Sequence, residues 1–287
     1  MPAALFSTRT NLGALRAHRQ IVLNNARSFK SEERLSSGRR INSAADDVAG
    51  LAVSTKLRAQ LSGFNRALRN THEALALLQT AEGAYESVEL DLMRMRELAI
   101  QAATDSYSAD ERGLMQNEFA ARQGNIDRVS AVTEYNDIKL LDGSAGANAD
   151  GTLTFQVGAM GATHDRISIQ LEVVTTGATS LNVAQSTLNV QSIANARAAL
   201  DQIDTALDAL ATKRTKIGST LNQLSKAASN LGHTIQNTTA GESHTRDVDM
   251  GRESVSYASA QVLQEAGISM ITKSSKELGA VALQLLN

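Results

Sequence analysis

Ile193-Ala-Asn-Ala196-Arg-Ala-Ala-Leu200-Asp-Gln-Ile203-Asp-Thr-Ala-Leu207-Asp-Ala-Leu210, with its continuation through Arg214, Ile217, Leu221, Leu224, Ala228, Leu231 and Ile235, decides what this chain can be. Ile193, Leu200, Leu207, Arg214, Leu221, Ala228 and Ile235 fall seven apart, and Ala196, Ile203, Leu210, Ile217, Leu224 and Leu231 interleave with them. Alternating 3,4 spacing sustained over about six heptads is the pattern of a helix that buries one seam against another helix. Residues 192–237 would span roughly 69 Å at 1.5 Å per residue, more than one globular core requires. The expectation is a rod. Arg214 is the one charge in the seam: it either meets a carboxylate on a facing helix or turns outward to water along its own stem, and the outward turn is the reading favoured here.

The N-terminal half carries the complement. Leu57, Leu61, Phe64, Leu68, Thr71, Leu75 and Leu78 keep 4,3 spacing, and Ala81, Tyr85, Val88, Leu92, Met95, Ala99 and Ala102 resume it after one three-residue step. Before this stripe, Ser43 with Asp46 three residues later reads as a helix cap. Ser108-Ala-Asp-Glu111 reads as a capping box opening a further helix with the stripe Met115, Phe119, Arg122, Ile126 and Val129. Between the helical halves, Thr152-Leu-Thr-Phe-Gln-Val157 and Arg166-Ile-Ser-Ile-Gln-Leu171 alternate apolar and polar and predict a β-hairpin. Six of the 19 glycines lie between Gly143 and Gly177, marking this centre off from its flanks.

The ends are amphipathic too. Leu12, Leu15, Val22, Ala26 and Phe29 form one stripe, and Val255, Ala258, Val262, Ala266, Leu278, Val281 and Leu285 another. A lone helix cannot cover such a face. These ends either pair or stay disordered until a partner arrives, and the expectation for the free chain is disorder over about 1–45 and 242–287.

Composition narrows the function classes. The only proline is Pro2, so nothing interrupts long helices. No cysteine means no disulfide and no thiolate chemistry. Mean hydropathy is −0.20 with no apolar run near 18 residues, which argues against a membrane-acting pore former. No 7–15-residue apolar stretch follows Met1, so export is expected without a cleavable signal peptide. Net charge is −2, but the first 40 residues hold eight cations against Glu32 and Glu33. Such an arm could bind nucleic acid, yet a charged helix face meeting an acidic partner explains it as well. His18, His72, His164, His233 and His244 lack metal-ligand spacing, and Asp46–Asp47 and Asp247–Asp249 sit where helices begin, where capping explains them. No nucleophile–base pair and no phosphate-cradling loop is present, so no catalytic, cofactor or metal site is expected.

Arg34-Leu-Ser-Ser-Gly-Arg-Arg-Ile-Asn-Ser-Ala-Ala-Asp-Asp-Val-Ala-Gly-Leu-Ala52 resembles the N-terminal signature of bacterial flagellins. Gln79–Gly83, Arg94–Gln101, Ile126–Ser130, Phe155–Ala159, Asp247–Met250, Ala260–Gly267 and Leu283–Leu286 match the same family in order. The resemblance implies a mainly α fold: a long antiparallel helical coiled-coil rod with a small β-hairpin region in the middle. Residues 1–45 and 242–287 would form the filament-core helical domain. Residues 46–180 (long helices plus hairpin) and 181–241 (long C-terminal helix) would form the domain around it. It implies a homopolymer that is the extracellular flagellar filament of a swimming cell. Implied partners are the flagellar export apparatus and a chaperone, the filament cap, hook-junction proteins and an innate immune receptor, with no nucleic acid, membrane or cofactor. Arg94, Leu98, Gln101 and Glu118 are the implied subunit-contact and receptor surface, and Leu12, Leu15, Val22, Phe29, Val255, Val262, Leu278, Val281 and Leu285 the filament-core packing. A hook–filament junction protein shares the terminal-helix plan and is the alternative.

Overall fold

The computed structural model describes residues 11–177, 180–184 and 186–286, without the side chains of Leu278, Gly279 and residues 281–286. Its elements run α1 Leu12–Ser37, α2 Val48–Ala102, α3 Ala109–Val132, β1 Glu134–Tyr135, β2 Ile138–Lys139, β3 Thr152–Gln156, β4 Arg166–Gln170, α4 Ile193–Arg246 and α5 Met250–Leu286. The chain divides into two compact units, Gln60–Asn237 and the combination of Met1–Ala59 with Thr238–Asn287.

In the unit Gln60–Asn237 the expected stripes form the core. Leu78, Ala81, Tyr85, Val88, Leu92, Met95, Ala99 and Ala102 of α2 are all buried, as are Ala196, Ile203, Leu210, Ile217, Leu224 and Leu231 of α4. The second α4 series, Leu200, Leu207, Arg214 and Leu221, is only half-buried. Its place in the seam is taken by Ala199, Ala206, Lys213 and Thr220, which are buried. The seam therefore centres one position N-terminal of where large apolar side chains alone would put it. Lys213 tolerates the site because its Nζ donates to Val173 O at 2.8 Å and lies 3.3 Å from the Glu172 carboxylate. α4 also continues past Asn237 to Arg246.

α3 opens with the capping box, Ser108 accepting from Glu111 N while the Glu111 carboxylate accepts from Ser108 N. Phe119 and Ile126 are buried as expected, and a polar heptad lies beside them. Gln116 Oε1 accepts from Val190 N at 2.7 Å, Gln123 Nε2 donates to Val183 O at 2.6 Å, and Ser130 Oγ donates to Leu141 O at 3.1 Å. These side chains satisfy loop backbone that would otherwise be buried without partners. β3 and β4 pair antiparallel with Phe155 opposite Ile167. The Cβ that glycine lacks at Gly63 would lie 2.8 Å from the Ala159 Cβ, so the hairpin tip rests on α2 only because residue 63 is glycine. β1 and β2 form a second hairpin whose turn residues Asn136 and Asp137 both have positive φ, 51° and 62°. That is the primed turn a two-residue loop needs.

In the other unit, α1 and α5 run antiparallel, Asn11 Nδ2 donating to Ser274 Oγ at 3.0 Å and Ser31 Oγ to Glu253 Oε1 at 2.6 Å. The inward positions of α1 are Ala14, Ala17, Ile21, Asn24, Ser28 and Ser31; those of α5 are Glu253, Tyr257, Ala260, Gln264, Gly267, Ile271 and Ser274. Both series keep heptad spacing, but apart from Ile21, Tyr257 and Ile271 the residues are small or polar. Backbones consequently approach closely, with Cα atoms of the two helices repeatedly within 8 Å. Beyond α1 the chain makes a left-handed Gly38, and Arg40 N donates to Arg246 O at 2.7 Å and Val248 N to Gly38 O at 3.1 Å.

The cap of α2 is Asp47, not Ser43: Asp47 Oδ1 accepts from Gly50 N at 2.9 Å. Asp46 instead closes the loop before the helix, accepting from Asn42 N and Ser43 N at 3.2 and 3.1 Å and pairing with Lys30 Nζ at 2.8 Å. The Lys30 ammonium, then the two amides, hold the Asp46 carboxyl well below the usual carboxylate range. A depressed folded-state pKa contributes stability that is present above the unfolded value near 3.8 and is lost as pH falls through the lowered one. Asp46→Asn is therefore expected to lower the melting temperature at neutral pH and to flatten the acid limb below about pH 4. Melting curves of parent and variant that stay parallel from neutral to acid pH would refute this role.

Candidate assembly surfaces

The terminal pair leaves most of its large apolar residues outside. Leu12, Leu15, Val22, Leu23 and Phe29 of α1 are exposed, Phe29 at 67%, and so are Val255, Val262, Leu263, Ile268 and Met270 of α5, Val255 at 67%. The expected filament-core residues therefore do not join α1 to α5. They stand on the opposite faces, because the helices meet through small residues and each can bury only one face against the other. The side chains of Leu278, Val281 and Leu285 lie outside the described residues. Burying one Leu, Val or Phe is worth about 1.5–3 kcal/mol, so these faces hold a large unrealised stabilisation. Arg16, Arg19, Arg27 and Lys30 are exposed among them, and Arg34 lies 3.7 Å from Glu253.

A second surface lies on α2 and α3. Arg94 Nε and Nη2 donate to the two Glu118 carboxylate oxygens at 2.8 and 3.2 Å, and Nη1 donates to Glu97 at 2.9 Å. The two-pronged pair fixes both side chains across adjacent helices, and the guanidinium draws the Glu118 pKa down. Gln101 is exposed and donates to the Tyr107 hydroxyl at 3.0 Å. Leu98 corrects the expectation. It is 2% exposed, part of the core with Met95 and Ala99, so it supports this surface from beneath rather than presenting it. The apolar part of the surface is Leu90, Met93, Ile100 and Leu114, all exposed. Sequence reasoning passed over them because they lie outside the seam, yet apolar residues on the wet face of an otherwise amphipathic helix are themselves the signal.

Arg214 is likewise corrected. It does not turn outward. Its Nε donates to Glu82 Oε1 at 2.8 Å and its Nη2 to the same oxygen at 2.6 Å, while Nη1 bonds Glu89. Two carboxylates one heptad apart on α2 give a guanidinium on α4 a partner on either side, which outward exposure cannot match. Arg214→Met is expected to lower the melting midpoint by about 4–8 °C, roughly 2 kcal/mol, because Glu82 and Glu89 lose their shared cation and Glu82 Oε2 is already buried without a partner. Adding Glu82→Gln should recover part of that; a double variant no more stable than Arg214→Met would count against the pairing.

The remaining polar residues carry structure. Asp249 caps α5, accepting from Arg252 N at 3.0 Å. All five histidines are exposed. Among the described residues no three His, Asp or Glu side chains gather to hold a metal, and no helix is long and apolar enough to cross a membrane.

Comparison with known proteins places the chain among described families. Residues 9–146 match the family described as bacterial flagellin N-terminal helical region, and residues 200–283 the bacterial flagellin C-terminal helical region. A flagellin of Halalkalibacterium halodurans is 36% identical over 276 residues, 96% of this chain and 98% of that one. A flagellin of Bacillus subtilis is 34% identical over 304 residues, covering 96% and 98%. A flagellar filament core protein of Brachyspira hyodysenteriae is 32% identical, covering 92% and 94%. A flagellar hook-associated protein structure from Vibrio parahaemolyticus, 15% identical, superposes with a TM-score of 0.59 over 70% of this chain and 100% of that one, a likeness of fold alone.

Proposed function

Because this chain belongs to the bacterial flagellin family, and is a structural subunit of the flagellar filament rather than an enzyme, we propose that copies join through the two surfaces described above. The family implies self-polymerisation into a filament outside the cell. The observation that carries the finer reading is the exposure of Leu12, Leu15, Val22, Phe29, Val255 and Val262 on helices whose inner seam is mainly small and polar. Among the described residues nothing covers those faces. A neighbouring copy carries the same faces and can. Residues 1–45 with 242–287 act as the filament-core segments in this reading, and 46–180 with 181–241 as the segments around them.

Export through the flagellar apparatus, helped by a chaperone, belongs to the same proposal; a chain free of cysteine threads without crosslinks. Cap and hook-junction proteins are the neighbours it meets at the filament ends. Arg94, Gln101 and Glu118, with Leu98 beneath them, are proposed as a subunit contact that an innate immune receptor also recognises. Hook-junction identity is not favoured, since the relatives of high coverage are flagellins and filament core proteins. Purified chain added to sonicated filament seeds is expected to lengthen them. Unchanged seed length, with leakage of dye from vesicles or a salt-sensitive shift of DNA instead, would defeat the reading.

A further inference from the structure

Apart from Ile21, Tyr257 and Ile271, the inner seam of the terminal pair is made of small or polar residues that give little burial, and its details argue for a different role. Asn24 is 2% exposed, and its Oδ1 has no hydrogen-bond partner. A buried acceptor without a partner weakens the pairing, so an aliphatic residue there would hold α1 to α5 more tightly. Gly267 forms a notch: a Cβ there would lie 2.7 Å from Ile21 Cγ1, so Ile21 seats where only glycine leaves room. Ser31 donates to Glu253 at 2.6 Å.

We infer that Asn24, Ser31 and Gly267 set the register of α1 against α5, holding the one alignment in which the outward apolar faces of both helices line up for a second copy; this rests on the assembly role proposed for those faces. A slip of one heptad moves one helix by about 10 Å along the other. After that slip Ile21 meets Ala260 or Ser274, each of which has a Cβ where glycine has none. Ser31 loses its acceptor when Ala260 takes the place of Glu253. A seam of leucines would pair almost as well in either alignment, whereas a buried polar residue and a single notch make the alternatives unequal. Stability is given up for uniqueness. The outward leucines, valines and phenylalanine cannot make this choice themselves, since they stand away from the inner seam.

The cysteine-free chain makes the register directly readable. A Cβ on Gly13 would lie 3.7 Å from Ser274 Oγ, so Gly13→Cys with Ser274→Cys reports the described alignment. Gln20→Cys with Ser274→Cys reports the alignment slipped by one heptad. In the parent background only the first pair should crosslink, in the free chain or after incorporation into filaments. With Asn24→Leu and Gly267→Ala together, the slipped crosslink should rise about tenfold or more while seeded elongation falls about tenfold and far-ultraviolet helicity does not fall. Slippage without loss of elongation, or loss of elongation without slippage, overturns the inference. So does absence of the first crosslink from both free and assembled parent chains. If Val22→Ser with Phe29→Ser elongates at the parental rate, the assembly role is what fails, and the crosslinks still report the register.

Discussion

Leu224→Asp is expected to abolish the cooperative melting of the unit Gln60–Asn237. Leu224 is fully buried on α4, next to last in the series that runs from Ala196 to Leu231. Removing its side chain to the size of alanine would itself cost about 2–5 kcal/mol, through lost transfer energy and the cavity left behind. Aspartate adds a carboxylate with no cation near enough in the seam to meet it, because Lys213 and Arg214 are already committed to Val173, Glu172, Glu82 and Glu89. That group must either stay protonated or draw water into the seam, and either course costs several kcal/mol more. The sum is comparable with the whole net stability of a domain, about 5–15 kcal/mol. Circular dichroism at 222 nm should show large loss of helix and a broad, low-temperature transition, whereas Leu224→Ala should melt cooperatively at a lower midpoint. Aspartate melting no lower than alanine would mean that the heptad is not buried in solution.

The opposite signature is expected of Val22→Ser combined with Phe29→Ser. Both side chains are exposed in the free chain, so its melting midpoint should stay within the effect of ordinary surface changes, about 0.5 kcal/mol. Assembly should collapse. Covering one valine and one phenylalanine contributes about 3–6 kcal/mol to each added subunit, which raises the concentration needed for elongation by roughly 10²–10⁴-fold. Sedimentation of seeded reactions over a concentration series gives that threshold. A threshold within about threefold of the parent would remove these residues from the contact. The contrast between the two variants separates the cover supplied within the chain from the cover supplied by other copies.

Much of the architecture was legible because it depends on local pattern. The seven-residue spacing of α4, the answering stripe of α2, the capping box at Ser108 and the alternation in β3 and β4 each carry their own physical signal. The β1–β2 hairpin was missed because two residues per strand give no readable alternation, although Asn136-Asp137 is turn chemistry. The α3 series Gln116, Gln123 and Ser130 was missed because polar residues read as solvent-facing until the loop carbonyl or amide they satisfy is known. Ser43 reads as the cap of α2 because it precedes an acidic residue at the right interval. Asp47 takes that place because it stands one residue before the first helical position.

What the sequence determined by itself is which helices form, and that the chain holds more apolar helix face than it can bury alone. Helical spacing and the absence of proline beyond Pro2 are properties of neighbouring residues, and they hold whatever the partner. Only the tertiary structure decided which face each helix turns inward. For α1 and α5 it chose the small and polar face over the apolar one; for α4 it shifted the seam onto alanines, Lys213 and Thr220; for Leu98 it chose the core. Inward facing depends on how closely two backbones can approach and on which carbonyls, amides and carboxylates wait on the other side. Those are contacts between residues far apart in the chain, and no periodicity along one helix encodes them.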